Sequence, residues 1–167
     1  MTMKTLLPAI LLLLLTGCSS INIYIVRHAE KQTGNNPHLT AAGQQRALAL
    51  CDTMRSKSIG FIFSTDSNRT QETARPTANF LHLAVTRYSF DTLPRFVTRL
   101  KKIWSDNVLV VTHSTTITDI LRAFNVTPVQ VNDNDFDNLF IIHRQKTVNS
   151  ITTTLIRTTY GAPSPPP

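Results

Sequence analysis

Cysteine is nearly absent from this 167-residue chain, which has two, Cys18 and Cys51. A disulfide framework is therefore excluded, and the fold must be stabilised by packing. No histidine or cysteine spacing resembles a zinc site, so no metal and no cofactor is expected. Basic residues outnumber acidic ones, 17 to 10, for a formal charge of +7. They nevertheless form no run of five or six, which argues against a nucleic-acid arm. The scattered charge suits either a domain that meets anionic ligands or membrane surfaces, or simply a soluble basic surface. There is no internal repeat. The apolar run from Leu6 to Leu15 is too short to span a bilayer, which takes about 20 residues.

That run follows a short segment carrying Lys4 and fits a secretory apolar core. It ends in Leu15-Thr16-Gly17-Cys18-Ser19-Ser20, which resembles the lipobox of bacterial lipoproteins. The resemblance implies cleavage before Cys18 and lipidation of that cysteine, with residues 1–17 as signal peptide. Ser19 is not the aspartate associated with inner-membrane retention, so the expected location is the periplasmic face of the envelope, at the outer membrane in a Gram-negative cell. The 150 residues that remain make one domain, expected over 18–160, with room for a core. Residues 161–167, Gly-Ala-Pro-Ser-Pro-Pro-Pro, read as a flexible Pro-rich tail. Cys51 falls on an apolar helix face and reads as a buried structural thiol.

Ile21-Asn22-Ile23-Tyr24-Ile25-Val26 reads as a strand buried on both faces, and Arg27-His28-Ala29-Glu30 follows it directly. Thr40 predicts a helix N-cap, with Ala47, Cys51 and Met54 as the core-facing stripe of a helix to about Lys57. Phe61–Thr65 predicts a second strand, and a helix follows from about Arg69 to His82, which Pro76 should kink or restart. Val85–Phe90 predicts a third strand. Asp91-Thr92-Leu93-Pro94 starts a helix whose apolar face is Phe96, Val97, Leu100, Ile103 and Trp104. Val108–Thr112 is the clearest central strand and ends at His113, with a helix to follow from Ser114 to about Phe124. Leu139–Ile142 and Ile151–Ile156 predict a closing pair of strands at a sheet edge. Phe136 and Phe140 either wall the pocket or sit in the core, with the core the preferred placement. This alternation specifies an α/β fold, a three-layer sandwich with a mainly parallel central sheet flanked by helices.

Three strand ends then carry polar groups: Arg27-His28, Ser64-Thr65 leading to Arg69, and Thr112-His113. In a parallel sheet these ends share one edge, where ligands of such folds bind. Two arginines and two histidines around one point make a cage for a dianion, because guanidinium groups bind phosphate oxygens in bidentate fashion.

The chain resembles the histidine phosphatase superfamily, the phosphoglycerate mutase-like fold. Arg27-His28-Ala29-Glu30 is similar to its first-strand motif. Leu39-Thr40-Ala41-Ala42-Gly43 through Ala47 is similar to its following helix start. Ser64 through Ala74 is similar to the segment with its second arginine, and Val110-Val111-Thr112-His113-Ser114 to that with its second histidine. The resemblance implies a histidine acid-type phosphatase, a phosphoric monoester hydrolase with His28 as nucleophile. Arg27, Arg69 and His113 would hold the phosphoryl oxygens. Ser114 stands where glycine is common, and its hydroxyl either donates to phosphate or caps the next helix. Asp91 falls roughly where a general acid is expected, with Glu30, Glu72 and the Asp133–Asp137 loop as competitors. The implied partners are a phosphorylated small molecule or phosphoprotein and the membrane; nucleic acid is not among them. A lipoprotein that binds phosphorylated ligands with little catalysis, and an envelope scaffold, are the rival readings. The short stretch between Arg69 and His113 speaks against a mutase.

Overall fold

A computed structural model describes residues 19–164; the expected signal peptide and Cys18 lie outside the described residues. β1 (Ser19–Arg27), β2 (Ile59–Thr65), β3 (Val85–Tyr88), β4 (Asn107–Thr112), β5 (Asn138–Lys146) and β6 (Ile151–Thr159) form one sheet. Its order is β3-β2-β4-β1-β5-β6. The first four strands are mutually parallel, while β5 pairs antiparallel with β1 and β6 antiparallel with β5. Between them lie α1 (Ala41–Met54), α2 (Asn68–Leu81), α3 (Leu93–Lys102) and α4 (Ser114–Ala123).

The β1 sequence explains the three layers. Successive side chains of a strand point to opposite faces, and here both faces are apolar. Ile21, Ile23 and Ile25 pack with Phe96 and Leu100 of α3 and Ile117 and Ile120 of α4. Tyr24 and Val26 pack on the other side with Leu50 and Met54 of α1 and Ala74 and Ala78 of α2. This is the α/β sandwich expected from the alternation of elements.

Thr40 caps α1, its hydroxyl accepting from Gly43 N at 3.1 Å. Gly43 is required there, since a Cβ at that position would run into the carbonyl oxygen of Glu30. Cys51 is free and buried.

Three expectations need correction. α2 runs through Pro76 without a break. Thr73, Ala74, Thr77 and Ala78, on either side of it, are all buried, so packing holds the helix across the lost backbone donor. β5 and β6 close the sheet at one edge as expected, with β6 outermost, but both extend well beyond the apolar segments. The stretch after Gly161 is tied down as far as Ser164. Ala162 O accepts from Arg46 at 2.8 Å, and the Ser164 hydroxyl bonds Phe136 N, Asp137 N and the Asp137 carboxylate.

Candidate active site

The β1–β4 register places Arg27 beside Thr112. His28 N then donates to Thr112 O at 2.8 Å, carrying the pairing one step past the strand. His28 and His113 therefore emerge from neighbouring strand ends, with ring centroids 5.3 Å apart in an edge-to-face arrangement. Thr65 ends the next strand over, and its Oγ1 lies 2.9 Å from His113 Nε2. Arg69, in the first turn of α2, reaches back so that Nη2 lies 3.3 Å from His113 Nδ1. The four residues singled out in the sequence thus converge on the carboxyl edge of the parallel strands.

The hydrogen bonds set the histidine tautomers. His28 Nδ1 lies 2.8 Å from Ala29 O, a pure acceptor, so Nδ1 carries the proton and Nε2 keeps its lone pair. No hydrogen bond engages His28 Nε2 among the described residues. Arg69 can only donate, so His113 Nδ1 accepts and Nε2–H donates to Thr65. Thr65 passes its own hydroxyl proton to Thr70 at 2.9 Å, and Thr70 donates onward to backbone carbonyls. Thr73 accepts from Ala29 N at 2.9 Å, fastening the turn after His28 to α2. Tyr88 fixes Thr112 from the sheet side at 2.7 Å.

Both imidazoles are held neutral. Burial, assisted by Arg27, His113 and Arg69 and opposed by the Ala29 carbonyl, takes the His28 pKa from 6.5 to about 3. Burial with Arg69 and Arg27 takes His113 to about 4. Burial also lowers the Arg27 pKa, with Asp133 and Asp135 opposing and Arg69 adding to the effect. Guanidinium remains charged in spite of such shifts. The Nε atoms of Arg27 and Arg69 are buried without a hydrogen-bond partner. Buried donors are satisfied in nearly all native proteins, so two orphaned cationic donors beside a neutral imidazole form a binding site for an anion.

The loop before β5 covers one side. Arg27 donates to Asn132 O at 2.8 Å, lies 3.6 Å from the exposed Asp133 carboxylate and stacks 4.5 Å from the Phe136 ring centroid. Phe136 also lies 6.2 Å from His28. It therefore walls the site, contrary to the core placement preferred from sequence; Phe140 does lie in the core. Phe90, half exposed, flanks His113 at 5.1 Å. A cavity of ≈ 450 Å³ lined in part by Ser114, Gln130, Asn132 and Asp133 adjoins the cluster.

The remaining candidates separate. Glu30 is committed to Arg46, and Glu72 to His38 and Leu39 N. Asp91 sits in a short 3₁₀ turn beside Phe90, exposed and without a hydrogen bond, while Thr92 occupies the N-cap of α3. Burial and the adjoining Asp137 carboxyl push the Asp135 pKa up. Ser114 is the first residue of α4 and His113 its N-cap, so the hydroxyl is not the cap. Among the described residues, no cluster of three or more His, Cys, Asp or Glu side chains could hold a metal ion. Thr65 stands in the sequence only as a polar strand end, while Thr70, Thr73 and Asn132 carry no signal there beyond nearness to Arg69 and to the loop.

An α/β sheet here gathers two arginines and two histidines at its strand ends, an arrangement suited to an anion such as phosphate. Residues 23–89, which carry Arg27, His28 and Arg69, match the histidine phosphatase superfamily (branch 1). His113 lies beyond the matched segment and joins the site through the fold. Among solved structures, the chain is similar to a mycobacterial glucosyl-3-phosphoglycerate phosphatase at 12% identity and TM-score 0.63, over 81% of this chain and 97% of that one. It is similar to a phosphoserine phosphatase from Entamoeba histolytica at 14% identity and TM-score 0.56, over 80% and 98%. A structure described as mycobacterial hydrolase 2 matches at 11% identity and TM-score 0.66, over 89% and 94%. At these identities the likeness establishes the fold. Among curated proteins no sequence matches.

Proposed function

We propose that the chain is a metal-independent phosphatase working through a phosphohistidine on His28, and that Cys18 anchors it by lipid to the periplasmic face of the envelope. The observation that carries the chemistry is the pairing of a neutral His28, its Nε2 free, with two guanidinium groups whose buried Nε donors lack protein partners.

In the first step, the Nε2 lone pair attacks phosphorus in line; the N–P bond forms as the P–O bond to the leaving group breaks. The Ala29 carbonyl, bonded to Nδ1–H, stabilises the positive charge that grows on the ring. Arg27 and Arg69 stabilise the equatorial oxygens, and His113 adds a donor once its Nε2–H turns from Thr65 to the anion. A water then attacks phosphorus, the P–N bond breaks and His28 returns to its neutral form, with inorganic phosphate as the product. The leaving oxygen of an alkyl ester needs a proton, which we assign to Asp91; Asp135 is the competing donor. The ≈ 450 Å³ cavity beside Ser114 offers room for the leaving group.

The alternative, a lipoprotein that binds phosphorylated ligands without turning them over, draws on one observation. Among the described residues no carboxylate is hydrogen-bonded to either histidine. Phosphate release from para-nitrophenyl phosphate in the presence of EDTA separates the two. Release that disappears in His28→Ala is the expected result; phosphate binding without turnover in either protein would favour the binder.

A further inference from the structure

The end of the sheet opposite the active site has a chemistry of its own. Ser19 pairs with Lys146 there, and Lys146 with Ile151 across the β5–β6 turn. The Ser19 hydroxyl donates to Trp104 O at 3.2 Å, and Arg144 donates to Lys101 O at 3.0 Å. Trp104, partly buried, lies under the Arg144 guanidinium at 4.2 Å and the Lys146 ammonium at 5.9 Å. Lys101, Lys102 and Lys146 are exposed and form no ion pair among the described residues, while Val148 at the turn is 76% exposed and Ile151 55%.

Lysines in the last turn of α3 complement its helix dipole, which would explain Lys101 and Lys102 alone. It does not explain Lys146, which comes from a strand, or an exposed valine and isoleucine beside them. Asp106 is the unpaired acid of this end; Asp66, Asp91, Asp133, Asp135 and Asp137 all sit on loops of the catalytic end. A tryptophan set among lysines with apolar side chains at the rim matches the interfacial region of an anionic bilayer. In the sequence, Cys18 directly precedes Ser19 of this same edge.

We propose that this end of the sheet, with Trp104, Lys101, Lys102, Lys146 and Val148, lies on an anionic lipid surface. Nine residue steps of extended chain from Ser19 to His28 then hold the active site about 30 Å from that surface. Its substrates are accordingly water-soluble phosphoryl compounds and not phosphates embedded in the bilayer. This second part rests on the phosphatase reading; the surface itself does not.

Trp104 is the only tryptophan in the chain, so its fluorescence reports this face alone. The full-length protein is mixed with phosphatidylcholine vesicles carrying brominated acyl chains, with and without phosphatidylglycerol. Quenching that requires phosphatidylglycerol, reverses with salt and weakens more than about tenfold in the Lys101→Glu/Lys102→Glu/Lys146→Glu variant is expected. That variant should turn over para-nitrophenyl phosphate like the wild type. An unquenched Trp104 on vesicle-bound protein, or quenching indifferent to the three substitutions, would overturn the surface. Glycerol phosphate should be hydrolysed and vesicle-embedded phosphatidic acid not; comparable rates would overturn the orientation. If neither these nor para-nitrophenyl phosphate is hydrolysed, the phosphatase reading fails, and the quenching result still decides the surface.

Discussion

Arg46 grips Glu30 through Nε, 2.9 and 3.0 Å from the two carboxylate oxygens, and through Nη2 at 2.7 Å. The acidic residue of Arg27-His28-Ala29-Glu30 thereby serves the scaffold. Burial pulls the Arg46 pKa down, and the hydrogen bond and charge of Glu30 more than reverse it. Removing one partner of such a pair leaves a buried charge alone, so Glu30→Ala should lower stability by about 3 kcal/mol. Denaturant unfolding measures the loss, and turnover per folded molecule should stay close to wild type. A folded Glu30→Gln protein without activity would place Glu30 in the chemistry instead.

The neutral histidines make stability depend on pH. Unfolded, each binds a proton near pH 6.5; folded, His113 does so only near 4 and His28 near 3. Between these values the unfolded state holds more protons, so stability falls as pH drops from 6.5 toward 4. Thermal unfolding midpoints should decline over that range in the wild type and decline less in His28→Asn. Equal slopes would contradict neutral burial of the pair.

On the proposed mechanism, Asp133 competes with the substrate for Arg27. Its carboxylate lies 3.6 Å from the guanidinium and is 95% exposed, so the pair is weak and screened by salt. Asp133→Asn should tighten inhibition by inorganic phosphate by up to about fivefold at low ionic strength, with the gain fading as salt is added. Weaker phosphate inhibition in this variant would mean that Asp133 orders the loop more than it opposes the anion.

The proton donor is tested by the leaving group. Asp91→Asn should slow alkyl phosphate hydrolysis by about 100-fold or more, and leave acetyl phosphate, whose leaving group needs no proton, nearly unchanged. Equal rates on both substrates would transfer the role to Asp135, where the same comparison applies.

Much of this was legible from residues alone, for physical reasons. Ile21–Val26 and Val108–Thr112 are β-branched or apolar at nearly every position, as strands with two buried faces must be; the first stops at Arg27-His28 and the second at His113. Gly43 was legible only as part of a motif; the approach of Glu30 O explains it. What the sequence concealed depends on tertiary contact. Phe136 and Phe140 look alike in one dimension, but Asn138 begins β5 between them, so one meets Arg27 and the other the core. The threonines at 152–154 mask a strand because β6 is an edge with largely exposed side chains. The hydroxyl relay from His113 through Thr65 to Thr70 joins positions 48 residues apart and then five, a pattern with no local period. The tail's hold on Asp137 through Ser164 is equally non-local.

The central claim is that His28 carries the phosphoryl group. Turnover of acetyl phosphate should be quenched in alkali, which preserves phosphohistidine, and the protein digested and mapped by mass spectrometry. The account predicts one added phosphoryl group on the peptide containing His28, labile to acid and absent from His28→Ala. Steady release of phosphate with no phosphoryl group on His28, or one found on another side chain, would contradict it.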